Sequence, residues 1–238
     1  MSANFEELDR RQTAMGELSV RRRLEPSLLI DVWEVALNDE HLMSSLFTVA
    51  EIALGTLGVA AAPGDALDVV VGGLGLGYTA REVLQHPRVR SMRVVEALGE
   101  VIEWFDSGLL PLTDELTSDP RCQLIAGDFF AMVADGLPFG DDSPAHFHAV
   151  LVDIDHTPHH VLHPSHASFY SADGLRRLAT RLVPGGVFGL WSDAPPDADF
   201  IAVVESVFAE CVAHVVRFPN FHTGGESSNT VYIATTAA

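Results

Sequence analysis

The feature that most constrains this chain is a run of alternating glycines, Gly73-Leu74-Gly75-Leu76-Gly77. It follows Leu67-Asp68-Val69-Val70-Val71, a short apolar run that reads as a buried strand. It precedes a helical pattern, Tyr78-Thr79-Ala80-Arg81-Glu82-Val83-Leu84. A strand, a glycine turn and a helix let a nucleotide-like ligand approach bare backbone. Glycine serves there because no Cβ blocks the approach. A plain strand-to-helix turn with no ligand has the same local pattern. A second strand, Arg93-Val94-Val95-Glu96, ends in an acid 19 residues beyond Gly77. In doubly wound folds an acid about 20 residues on grips ribose hydroxyls. One carboxylate can accept from two vicinal hydroxyls. Gly73, Gly75, Gly77 and Glu96 are therefore the expected nucleoside-binding set, against a solvated strand end for Glu96 alone.

The rest of the chain continues the alternation. Strands are expected near 67–72, 92–97, 122–126, 147–154 and 186–192, and helices near 78–86, 98–108, 128–135, 168–183 and 197–210. Two late strands follow, near 211–218 and 229–235. Alternating β and α segments imply a parallel sheet covered on both faces. A terminal antiparallel pair completes a seven-stranded, Rossmann-like sheet of methyltransferase type. Before it, 16–23 and 28–37 read as a small N-terminal β-hairpin, followed by a helix over about 45–59. The expected division is an N-terminal region, 1–45, and a nucleoside-binding domain, 46–238. Arg21-Arg22-Arg23 is expected on a solvated strand edge.

Composition narrows the function. The chain has 238 residues and a formal net charge of −19, which argues against nucleic acid as a partner. All 14 basic residues are Arg, so lysine bases and Schiff bases are excluded. Arg in place of Lys, with much Ala, points to a GC-rich bacterial genome. Cys122 and Cys211 are too few for a disulfide scaffold, and Cys122 is expected as a buried core thiol. The polar start shows no signal peptide, and Glu51 interrupts the most apolar run, 43–62, which reads as a buried helix rather than a membrane span. A cytoplasmic location is expected.

Ligands in such sheets bind outside the carboxyl ends of the strands. The acids there are Glu96, Asp128, Asp153, Asp155 and Asp193. Asp128 is placed either to accept from an adenine amino group or to cap the helix that follows. Asp153, ending Ala149-Val150-Leu151-Val152, is a candidate general base, or else a turn acid. Asp155 either binds a cationic substrate or forms a turn. Trp191 belongs to the core or contacts ligand from a strand end. Seven of the 11 histidines lie between His146 and His166. Pro158 and Pro164 break any regular helix over His156–His166, and no fixed metal motif accompanies them. No metal is expected; a loop covering the substrate, with His156 among its contacts, is.

Taken together, these motifs resemble the spermidine synthase (polyamine aminopropyltransferase) family over roughly residues 16–236. Gly72-Gly73 followed by Arg81-Glu82-Val83-Leu84-Gln85-His86-Pro87 is similar to the family's glycine loop and R-E-V-L-K-H-P helix end. Val94-Val95-Glu96, then Val101-Ile102-Glu103, is similar to V-E-I-D…V-I-E. Gly127-Asp128, Phe169-Tyr170 and Leu182-Val183-Pro184-Gly185-Gly186-Val187 complete the set. The resemblance implies decarboxylated S-adenosylmethionine as donor and a small amine as acceptor. It implies Glu96 on the ribose, Asp128 on the adenine amino group, Asp153 as base and a homodimer through the N-terminal hairpin and apolar helix. Three departures stand out. Leu74, Gly75 and Leu76 replace the loop acid of G-G-G-D-G, Met43-Ser44-Ser45 replaces Y-H-E, and Asp153-Ile154-Asp155-His156-Thr157-Pro158 replaces D-S-S-D-P. Two alternatives remain: a methyltransferase using intact S-adenosylmethionine, whose G-x-G-x-G spacing this loop has, and a non-catalytic nucleoside-binding protein.

Overall fold

A computed structural model describes residues 5–38, 40–221 and 223–238. The sheet order is β10-β11-β9-β8-β5-β6-β7, built from β5 (Leu67–Gly72), β6 (Val89–Glu96), β7 (Cys122–Ala126), β8 (Phe147–Val152), β9 (Leu182–Ser192), β10 (Glu210–Asn220) and β11 (Gly225–Thr235). The pairs β5–β6, β5–β8, β6–β7 and β8–β9 are parallel, and β11 runs antiparallel to both neighbours. The chain starts at central β5, winds out through β6 and β7, and returns to β8. That reversal opens a crevice above the carboxyl ends of β5 and β8. All six residues of β5 are buried, as a strand covered on both faces requires.

The connecting helices are α1 (Val49–Ala61), α2 (Tyr78–Gln85), α3 (Gly99–Asp106), α4 (Thr113–Thr117), α5 (Phe129–Asp135), α6 (Ala172–Ala179) and α7 (Ala198–Glu205). α1 lies close on α2 and the sheet because it carries glycines at the contacts. A Cβ on Gly55 would meet Glu82 Cβ at 2.8 Å, and one on Gly58 would press into Leu151. α6 is shorter than the expected 168–183. Its start is set by Ser171, whose side chain accepts from Gly174 N, and the chain before it forms a 3-10 turn, Pro164–Ser168.

The N-terminal part is a four-stranded antiparallel sheet rather than a two-stranded hairpin: β1 (Phe5–Thr13), β2 (Gly16–Glu25), β3 (Ile30–Leu37) and β4 (Glu40–Ser44), in that order. β1 buries no residue, so it lacks the alternation that marks a strand in sequence. β2 is interior to this sheet, not its edge. Arg21 and Arg23 donate to Glu34 at 2.7 and 2.8 Å, Arg23 also pairs with Glu25 at 2.7 Å, and Arg22 with Glu6 at 2.7 Å. Leu18, Val20, Val35 and Leu37 pack into one core with α1 and the large sheet, which brings β4 over the crevice.

Candidate functional site

A cavity of about 510 Å³ opens at the crevice, lined by the glycine loop, β4, the first turn of α1, the segment after β8 and the ends of β9, β10 and β11. A smaller hollow of about 80 Å³ adjoins it, reaching Glu96, Asp128 and Phe130. Met43, Gly75, Asp153 and Ile154 line both.

Backbone pairing just beyond the strand ends fixes the crevice. Gly73 N donates to Val95 O at 2.9 Å, Asp153 N to Gly72 O at 2.8 Å, and Gly127 N to Glu96 O at 2.9 Å. Gly73 has φ +93°, and a Cβ there would overlap the Asp153 carbonyl oxygen. Its glycine is therefore needed to seat Asp153 as well as to bare the loop. Gly77, at φ +88°, faces the other way: a Cβ would meet Leu116 at 2.7 Å and Phe105 at 3.1 Å. That is close helix packing, the third-glycine role of such loops.

Glu96 holds the loop in place. Its carboxylate accepts from Leu74 N at 3.0 Å and from Leu98 N at 2.9 Å. Burial pushes its pKa up, against these backbone donors. Gly75 and Ala97 also donate backbone hydrogen bonds to it, and Glu96 borders the small hollow. Asp128 is the N-cap of α5, with Oδ1 accepting from Ala131 N at 3.1 Å. Its exposed side chain also lines that hollow.

Asp153 stands in the large cavity. Burial raises its carboxyl to about 6, and a hydrogen bond from Thr79 Oγ1 at 2.6 Å opposes the rise. Glu51, from the first turn of α1, lines the same cavity. Burial, then the charge of Asp153, raises its carboxyl to about 8. Sequence reasoning missed Glu51 and Thr79. The available signal was the single acid inside the chain's most apolar stretch, where an unpaired charge is costly.

Asp155 was expected either to bind a cationic substrate or to form a turn, and it lies behind the cleft wall. It is 1% exposed and lines neither cavity. Leu162 N, His166 Nδ1 and Tyr170 Oη lie 2.7, 2.9 and 2.8 Å from its carboxylate, so the group anchors the segment behind the cleft wall. His156 does line the cavity, near Asp193 (3.5 Å) and Glu40 (3.8 Å). Trp191 lines it too, and its Nε1 has no hydrogen-bond partner among the described residues. The remaining histidines disperse. His159 meets Asp197 at 2.7 Å, His160 stacks on His156, His163 caps the 3-10 turn, and His166 stacks on Phe130 at 4.1 Å. Among the described residues no group of three His, Cys, Asp or Glu is arranged to hold a metal.

Comparison with known proteins agrees with this architecture. A spermine/spermidine synthase domain matches residues 53–221. Polyamine aminopropyltransferase 2 of Pseudomonas aeruginosa is 30% identical over 164 residues, which cover 65% of this chain and 43% of that protein. The chain thus spans less than half the length of that curated relative. The crystal structure of spermidine synthase from Thermotoga maritima superposes with a TM-score of 0.73 at 18% identity, over 97% of this chain and 73% of that one. A spermidine synthase in complex with the transition state analogue AdoDATO gives 0.75 at 17% identity, over 97% and 74%. At such identities the two structures establish the fold. The matched domain runs through the glycine loop, Glu96, Asp128 and Asp153, and on it the chain belongs to the spermine/spermidine synthase family.

Proposed function

We propose that this protein transfers an aminopropyl group from decarboxylated S-adenosylmethionine to a small amine, with Asp153 as general base. The observation that carries the reading is that, among the described residues, the cleft is lined by carboxyl groups without an Arg beside them. Glu51, Asp153 and Asp193 line it, and no Arg does among the described residues. Such a cleft suits a cationic amine and a sulfonium donor. It gives no counter-charge to the carboxylate of intact S-adenosylmethionine. At about 4 Å and an effective dielectric of about 20, repulsion between that carboxylate and Asp153 amounts to about 4 kcal/mol.

In this reading Glu96 accepts from the ribose hydroxyls and Asp128 from the adenine amino group. The acceptor enters as an ammonium ion, which cannot attack. Asp153 takes its proton, and the freed nitrogen attacks the propyl carbon next to the sulfonium. A C–N bond forms, the C–S bond breaks, and the electron pair stays on sulfur, releasing neutral methylthioadenosine. Asp153 is suited to this because burial has raised its basicity. We extend the reading to a cytoplasmic bacterial homodimer joined through the N-terminal sheet.

One observation favours a methyltransferase instead: the glycine loop offers Leu74 and Leu76, not an acid, to a donor ammonium. Calorimetric titration with S-adenosylmethionine and its decarboxylated form, side by side, separates the two. Preference for the decarboxylated donor is expected, and preference for intact S-adenosylmethionine refutes aminopropyl transfer. Turnover that survives Asp153→Asn removes Asp153 as base, and absence of turnover with any amine leaves a nucleoside-binding protein.

A further inference from the structure

Asp155 and His166 form a buried pair whose chemistry the proposed reaction does not use. Leu162 N donates to Asp155 Oδ1 at 2.7 Å, and the Tyr170 hydroxyl lies 2.8 Å from Oδ2. Burial, then the charge of Asp155, pushes the Tyr170 hydroxyl well above its ordinary pKa, so it keeps its proton and donates. Asp155 is therefore an acceptor on both oxygens. His166 Nδ1 lies 2.9 Å from the same Oδ1 and has to bring the proton to that contact. In the neutral ring the lone pair then falls on Nε2, because the bond made by one ring nitrogen sets the state of the other. The ring plane is held as well: it stacks on Phe130 with centroids 4.1 Å apart and 30° between planes.

The two ring nitrogens differ in their surroundings. Nε2 makes no hydrogen bond to a described residue, yet it is not sealed in the core. The cavity that His166 borders is the small hollow, which it shares with Asp128, Glu96 and Phe130. Asp128 uses Oδ1 on Ala131 N and has Oδ2 left to accept. The hollow thus has two acceptors from different segments, Asp128 after β7 and His166 after β8. A 6-aminopurine carries two N–H protons on one exocyclic nitrogen and can satisfy both. A 6-oxopurine sets an oxygen there, which has no proton for either.

We propose that His166 is a base-selecting residue of this cleft: its Nε2 accepts from the amino group of a 6-aminopurine and turns away a 6-oxopurine. Asp155 is a positioning residue, acting through His166. The proposal rests on the nucleoside reading of the small hollow and adds to it a residue from the segment after β8, away from the strand ends.

The test is calorimetric titration of the whole protein with methylthioadenosine and with methylthioinosine, at pH 8, where an ordinary imidazole is neutral. The wild-type protein should prefer methylthioadenosine by at least about tenfold. His166→Asn keeps a donor at the place of Nδ1 and removes Nε2. It should weaken methylthioadenosine about tenfold more than methylthioinosine, so that the preference falls away. Equal loss for both nucleosides, or an unchanged preference, overturns the role of His166 and leaves the nucleoside site standing. Failure of the wild-type protein to bind either nucleoside refutes this proposal and the nucleoside reading together. Nitrogen-15 NMR of the wild-type imidazole needs no variant. The His166 proton should sit on Nδ1 in the free protein, and the Nε2 resonance should move on addition of methylthioadenosine. A proton found on Nε2 in the free, neutral ring overturns the proposal, whatever the variant does.

Discussion

Replacing Asp155 by Ala separates the two roles open to an acid at that position. The substitution removes the acceptor that meets Leu162 N, Tyr170 Oη and His166 Nδ1. Tyr170 and His166 are buried, at 6% and 8% exposure, so solvent cannot replace the lost bonds. Each buried donor left without a partner costs about 1–3 kcal/mol. Relief from desolvating one carboxylate offsets part of the sum, which gives about 3–5 kcal/mol, the range for removing one member of a buried, bonded charge. For a chain of this size 1 kcal/mol moves the melting temperature by about 2–4 °C, so Asp155→Ala should melt about 10 °C lower. Scanning calorimetry reads that shift, and hydrogen exchange should show early opening of 156–166, the segment these bonds anchor. Amine KM, measured at a temperature where the variant is folded, should change less than threefold. A variant that melts within about 2 °C of the parent but loses amine affinity tenfold would refute the argument and return Asp155 to the substrate.

Three further outcomes follow from the site's geometry. Gly73→Ala should lose most turnover, because its Cβ overlaps the Asp153 carbonyl and its φ of +93° strains any side chain; activity within threefold of the parent would show that the loop can shift. Asp153 acts as a base only when ionised, and its pKa is raised to about 6; kcat/KM should therefore climb about tenfold per pH unit below about 6 and level off above it. A flat profile between pH 5 and 7 would remove Asp153 as the base. Glu51 is raised from 4.5 to about 8, so the folded state keeps a proton that the unfolded chain loses. Stability must fall as pH rises from about 4.5 through 8. Glu51→Gln should therefore melt several degrees above the parent at pH 9 and equal it at pH 4, as followed by circular dichroism; equal shifts at both pH values would mean that charge is not the cause.

The positions of Gly73 and Glu96 at the cleft were legible because they follow strongly patterned strands. Leu67–Val71 and Arg93–Glu96 announce β5 and β6, so Gly73 and Glu96 could be placed by position after a strand. The same logic left Asp155 open between substrate and turn. Sequence offers Asp153 and Asp155 as equivalent acids beyond β8. They separate only because Asp153 N still pairs with Gly72 O, which keeps its side chain at the crevice, while Asp155 turns to Tyr170 and His166. Glu51 was seen as an interruption of an apolar run, and nothing local says which cavity a helix's first turn will face. β1 was invisible because it buries nothing. The histidines of 156–166 were expected only as part of a covering loop, and the fold spreads them: His159 meets Asp197, His166 meets Asp155, and His156 and His160 stack on each other.

These differences share a cause in how the cleft is assembled. Glu96, Asp128 and the glycine loop are held by backbone bonds at the ends of parallel strands, so the side of the cleft proposed for the nucleoside is tied to the sheet itself. The large cavity also takes walls from β4, the first turn of α1 and the β10–β11 ends, and none of these is fixed by the parallel pairing. Side chains can change there at little cost to the sheet. The departures at Met43-Ser44-Ser45, the appearance of Glu51 and the position of His41 all fall on that side. In the proposed reading, the sheet constrains which nucleoside is held more than which amine is received, and amine specificity should be sought in residues 40–51 as well as in the glycine loop.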